Sequence, residues 1–87
     1  MSTREMKGEY TIFVFIDTTP GEDRTVLEKL LEYDEVIEVH LISGQYDLLA
    51  VLEIDLHGKA IFTSVQELAQ KSIERIRDLS GVRDTNT

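Results

Sequence analysis

Residues 36–54 contain two apolar, β-branched runs on either side of a short polar turn with a glycine in it. Val36-Ile37-Glu38-Val39-His40-Leu41-Ile42 leads in, Ser43-Gly44-Gln45-Tyr46-Asp47 turns, and Leu48-Leu49-Ala50-Val51-Leu52-Glu53-Ile54 leads out. This pattern predicts an antiparallel hairpin with a loop of about four or five residues. It constrains the fold more than any other stretch, because a hairpin this apolar needs further strands and a covering layer. The turn also gathers chemistry. A glycine lets backbone approach a ligand closely, and Tyr46 and Asp47 place a ring, a hydroxyl and a carboxylate beside it.

The elements around the hairpin follow from local signals. Tyr10-Thr11-Ile12-Phe13-Val14-Phe15-Ile16-Asp17 is β-branched or aromatic almost throughout and predicts a first strand. Thr19-Pro20-Gly21-Glu22 carries a threonine, a following proline and a glutamate three residues on, which predicts a capping box at a helix start. Val26, Leu27, Leu30 and Leu31 continue at helical spacing to about Tyr33. After the hairpin, Asp55 is a candidate cap for a second helix, with Ile61, Phe62, Val65, Leu68, Ala69, Ile73 and Ile76 along one face. Glu67 and Lys71 stand four apart in the favourable order. Ser80-Gly81 is a stop signal, and residues 82–87 predict a short last strand.

The resulting order, β-α-β-β-α-β, is the ferredoxin-like pattern, an α+β fold with two helices on one face of a four-stranded antiparallel sheet. One inference comes from the strands themselves. A sheet with one wet face alternates apolar and polar residues, and residues 12–16 and 48–52 do not alternate. The helices cover one face, so the other is expected to meet a second copy, giving a homodimer built sheet to sheet.

Composition bounds the rest. Eighty-seven residues make one domain, expected over residues 10–87 behind a flexible tail of residues 1–9. A chain of this size buries only about 60% of the surface its unfolded form exposes, so oligomerisation is a natural source of stability. There is no cysteine, which leaves no disulfide and no thiolate metal site and fits a cytoplasmic setting. The formal net charge is −8, and the Lys and Arg residues form no run. Phosphate backbones and anionic membranes attract clustered cations, so direct DNA binding and membrane binding are not expected. Neither apolar run approaches the roughly 20 residues that span a bilayer.

For the Gly44 turn two readings compete. In one, Gly44 supplies a positive φ, Tyr46 packs and Asp47 caps backbone amides. In the other, Gly44, Gln45, Tyr46 and Asp47 form a small polar ligand site, with amides for a carboxylate and Asp47 for an ammonium group. Thr85 and Thr87 share one face of the last strand, either as good strand formers or as hydroxyls lining a pocket. His40 and His57 have no zinc-type spacing, so no metal is expected, and no motif calls for a cofactor. No serine has a visible histidine partner for a nucleophilic triad.

These residues, taken together, resemble the effector-binding domain of the Lrp/AsnC feast/famine regulators, known as the RAM domain. The resemblance lies in Thr18-Thr19-Pro20-Gly21, Leu30-Leu31-Glu32-Tyr33-Asp34-Glu35-Val36, the Gly44-Gln45-Tyr46-Asp47 turn, Ile73-Glu74-Arg75-Ile76 and Gly81-Val82-Arg83-x-Thr85-x-Thr87. It covers about residues 10–87 and is similar to versions that stand alone, without the DNA-binding helix-turn-helix. The resemblance implies an αβ-sandwich dimer, rings of eight or ten subunits, and a free amino acid bound between dimers. It carries Gly44, Tyr46 and Asp47 over as ligand-site residues, with Thr85 and Thr87 behind them. In the family the last strand runs on in apolar residues past the threonines, a pattern this sequence does not show.

The expectation is therefore a non-enzymatic amino-acid-binding regulatory domain. With nine residues ahead of the first strand, it would act on transcription indirectly, by co-assembly with a full-length Lrp/AsnC regulator. The alternatives are a small dimeric monooxygenase- or isomerase-like enzyme with its site near His40 or Glu38, and an ACT-like module that binds its effector at another interface.

Overall fold

A computed structural model describes residues 10–54 and 64–87. The elements are β1 (Tyr10–Thr18), α1 (Asp23–Leu30), β2 (Val36–Leu41), β3 (Leu48–Ile54), α2 (Val65–Arg77) and β4 (Val82–Asn86). They form one antiparallel sheet in the order β2-β3-β1-β4, the expected ferredoxin-like arrangement. The expected tail of residues 1–9, the Asp55 cap, His57, Ile61 and Phe62 lie outside the described residues.

Packing resolves the puzzle of the non-alternating strands. Along β1 the residue types stay apolar while burial alternates: Val14, Ile16 and Thr18 point into the helix side, Phe13 and Phe15 point away. In β3, Leu48, Ala50, Leu52 and Ile54 face inward. Val26 and Leu30 of α1 and Ile73 and Ile76 of α2 close over them. The opposite face is only partly covered: Val51 on it is buried, while Phe13 is 53% and Phe15 37% exposed.

The start of α1 departs from expectation. Thr19 does not cap the helix. The Glu22 N–H donates to the Thr19 carbonyl at 2.9 Å, with Gly21 at φ +86°. Proline followed by a positive-φ glycine is the chemistry of a type II turn, and a residue at that φ cannot be in the first helical turn. The helix therefore begins at Asp23, with Glu22 at the N-cap position and no side-chain cap bond. It ends at Leu30, three residues short of the expected Tyr33.

The capping box occurs at the other helix. Ser64 Oγ accepts the Glu67 N–H at 3.1 Å, and Glu67 Oε1 accepts the Ser64 N–H at 3.0 Å. The apolar face read from the sequence, Val65, Leu68, Ala69, Ile73 and Ile76, packs inward. The helix stops at Arg77, ahead of the Ser80-Gly81 signal.

A polar latch ties α2 to the sheet. The buried Ser72 hydroxyl donates to Glu35 Oε2 at 2.6 Å, and Arg75 Nη2 donates to the same oxygen. The Arg75 guanidinium also lies 4.8 Å from the centroid of the Tyr33 ring. The Glu35 carbonyl accepts the Glu53 N–H of β3 at 2.8 Å. Glu35, just ahead of β2, thus ties α2 to β3 through one residue.

Candidate functional site

The β2–β3 turn runs over residues 42–47, one longer than expected, and closes with the Ile42 N–H donating to the Asp47 carbonyl at 3.0 Å. Ser43, Gly44 and Gln45 are exposed at its tip, with Gly44 at φ +126°. Tyr46 leans back over the sheet, its ring centroid 5.8 Å from that of Phe15 at a 41° tilt. Edge-tilted aromatic pairs at this distance are favourable, so the ring helps fix where the tip sits.

Asp47 is tied down more firmly. Its N–H donates to the Ile16 carbonyl at 3.0 Å. Its Oδ2 accepts both the Thr18 backbone N–H at 2.9 Å and the Thr18 hydroxyl at 3.0 Å. The half-buried carboxylate clamps the hairpin turn to the end of β1 across 29 residues of sequence. The Thr18 backbone N–H, then its hydroxyl, hold the Asp47 carboxyl below its ordinary range; burial opposes, and hydrogen bonding with Asp17 and the charge of Arg83 add to the lowering. An ionised carboxylate has about four acceptor sites, so two bonds to Thr18 leave capacity for an ammonium donor.

Thr85 and Thr87 lie elsewhere. Thr85 stands opposite Ile16 on β4, and Leu48, next to Asp47, stands opposite Ile16 on β3. Two strand spacings of about 4.8 Å therefore separate Thr85 from the Asp47 strand. The Thr85 hydroxyl accepts Arg77 Nη2 from α2 at 3.5 Å, and Thr87 lies just beyond the strand end, exposed. One protomer brings Gly44, Gln45, Tyr46 and Asp47 together and holds the threonines at the same end of the sheet without contact to them.

Three residues at this end were not read from the sequence as site residues. Thr18 supplies both donors to Asp47, Asp17 adjoins it, and Arg83 in the β4 bulge reaches Asp17 Oδ2 at 3.6 Å. The end of the sheet thus carries two carboxylates and a guanidinium beside an exposed turn. A fixed anion, a nearby cation and accessible backbone can bind the two charged ends of a small zwitterion.

His40 and Glu38 sit on the edge strand β2, both more than half exposed, with His40 Nε2 and Glu38 Oε1 2.8 Å apart. An exposed pair on a sheet edge has, among the described residues, no enclosing pocket around it in which a substrate would be held away from water. Among the described residues no three His, Asp or Glu side chains are grouped to hold a metal. Among the same residues no helix is long and apolar enough to cross a membrane.

Comparison with known proteins places this architecture. The family described as the Lrp/AsnC ligand binding domain matches residues 11–87, and the chain belongs to it. FFRP-DM1 superposes with a TM-score of 0.71 at 33% identity, covering 87% of this chain and 91% of that one. A hypothetical protein from Pyrococcus horikoshii gives 0.69 at 33% identity, over 87% and 82% of the two chains. Escherichia coli AsnC shares the fold, with a TM-score of 0.68 at 21% identity over 87% of this chain and 46% of its own. An uncharacterised HTH-type transcriptional regulator of Pyrococcus abyssi is 27% identical over 91% of this chain and 45% of its own length. The chain spans about half the length of the curated relatives it matches. It is a regulatory domain of a family that is typically ligand-binding and oligomeric, and it is not an enzyme.

Proposed function

We propose that the chain is a cytoplasmic amino-acid-binding effector domain, with Gly44, Gln45, Tyr46 and Asp47 as the primary contacts and Thr85 and Thr87 contributing from a neighbouring subunit. The observation that supports this best is the Asp47 carboxylate, held ionised beside the exposed Gly44–Gln45 backbone. Asp47 takes the ammonium group, the turn amides take the carboxylate, and Tyr46 shields the pair. The protomers pair through the open sheet face, where Phe13, Phe15 and Leu49 are left partly uncovered. The dimers assemble further into rings of eight or ten, which brings the turn of one dimer against the next.

The test is a thermal-shift screen of the pure protein against the twenty amino acids. A ligand that binds only the folded assembly raises Tm by mass action. At least one free amino acid is expected to raise Tm, and its α-amide, which lacks the carboxylate, is expected to lose the effect. No shift with any of the twenty would overturn the reading. Influence on transcription passes through a full-length relative: the pure protein leaves duplex DNA unshifted in a gel, while adding it to a relative changes the relative's shift.

A further inference from the structure

Register places the open face of the sheet in rows, since directly opposed residues of an antiparallel pair share a face. Glu53 stands beside Thr11. In the next row Glu38 stands beside Val51 and Phe13, and in the third His40 stands beside Leu49 and Phe15. Asp17 and Asp84 form the last. The apolar centre is therefore edged by four carboxylates: Asp17, Glu38, Glu53 and Asp84. Among the described residues, Arg83 at this edge is engaged with Asp17, and His40 is engaged with Glu38.

Stacked sheets lie about 10 Å apart, which is about one Debye length at 0.1 M salt. Two stacked copies of this face would bring two acidic edges to about that separation, where like charges are only partly screened. The apolar centre favours pairing and the edge opposes pairing with itself.

We propose that the open sheet face is matched to a partner domain of the same fold whose apolar face is edged by cations, in preference to a second copy of this chain. The proposal rests on the sheet-to-sheet reading and adds the chemistry of the partner. It gives co-assembly with a relative an electrostatic basis: self-pairing is held weak at low salt, and a basic-edged sheet from another subunit removes the repulsion and gains attraction. Opposed charges arranged in this way set partner choice more than raw affinity.

The protein can supply its own basic-edged partner. In the double variant Glu38→Lys, Glu53→Lys two of the exposed edge acids become cations and the apolar centre is untouched. Wild type and a mass-tagged variant are mixed at low salt and the dimers counted by native mass spectrometry. The ratio of mixed dimer to homodimers is expected to exceed its statistical value by about tenfold, the scale of a few charge pairs each worth a fraction of a kcal/mol at partly screened distances. Independently, the wild-type homodimer is expected to tighten several-fold between about 0.03 and 0.5 M NaCl as repulsion is screened. This second measurement needs no variant to fold. Statistical mixing, or a homodimer indifferent to salt, would overturn the electrostatic matching alone. Monomers throughout, in the mixture and at high salt, would overturn it together with the sheet-to-sheet reading.

Discussion

At the scale of single residues, Asp47 carries two jobs, and they can be separated by measurement. Its carboxylate accepts two Thr18 donors and lies at the proposed ammonium site. Asp47→Asn keeps the shape and removes the charge. A charge-assisted bond contributes about 1.5–3 kcal/mol, so the variant is expected to bind the best amino acid roughly 10- to 100-fold more weakly in calorimetric titration. Equal affinity in a folded variant would leave Asp47 as a turn residue only. Stability has its own signature. The folded carboxyl titrates below the ordinary value of 3.8, so in the acid range the unfolded state binds more protons than the folded one and stability rises with pH. The benefit is fully present well above that value and is lost as pH falls through the folded pKa. Denaturation of wild type and Asp47→Asn should therefore differ at neutral pH and converge below about pH 4. A gap that persists unchanged at pH 3 would show that the charge is not what holds the turn. None of the Thr18 role was legible beforehand, because periodicity reports local neighbours and this contact spans 29 residues.

Gly81 makes a second residue-scale case. It sits at φ +99°, and a Cβ there would lie 2.8 Å from Val26 Cγ2 and 3.2 Å from Glu22 Cβ. Gly81→Ala combines left-handed strain with a clash against a fully buried valine of α1, each of order 1–3 kcal/mol. Thermal unfolding is expected to shift down by roughly 4–8 °C per kcal/mol lost. An unchanged Tm would mean that α1 gives way freely.

At the scale of elements, the two helix starts show what sequence can and cannot specify. Thr19-Pro20-Gly21-Glu22 and Ser64-Val65-Gln66-Glu67 both spell a capping box, yet only the second forms one. Pro-Gly captures the first as a turn; Val65 and Gln66 offer no competing local structure. Sequence order, strand pairing and the apolar face of α2 were legible because each repeats over many residues and tolerates an error of one or two. A helix start is decided by two residues and is easily outvoted. Ser64→Ala removes the acceptor for the Glu67 N–H and is expected to destabilise by about 1 kcal/mol in chemical denaturation. The matching Thr19→Ala should cost no capping energy, since no bond from that side chain reaches the helix. Equal losses in the two variants would contradict this assignment of the caps.

At the scale of the whole molecule, the open face decides between a protomer that is finished and one that is half of something. Phe13 and Phe15 contribute little to the protomer's own core, which is built from Val14, Ile16, Leu48, Leu52 and the inward helix residues. A chain this short has a small margin, and two phenylalanines left in water are an aggregation liability unless covered. The same two side chains are central to any sheet-to-sheet contact, flanked by Leu49 and Val51. Phe13→Ser together with Phe15→Ser should therefore separate the two roles. Far-ultraviolet circular dichroism is expected to keep its wild-type shape, because the helix-side core is untouched. Sedimentation velocity is expected to move from dimer or larger species to monomer, because burying each ring contributes about 1.5–3 kcal/mol and the twofold contact uses both rings twice. Tm is expected to fall and to lose its dependence on protein concentration, since a monomer gains nothing from mass action. A variant that remains dimeric would place the contact on another surface. The apolar rows of β1 and β3 would then have to be covered from within the chain.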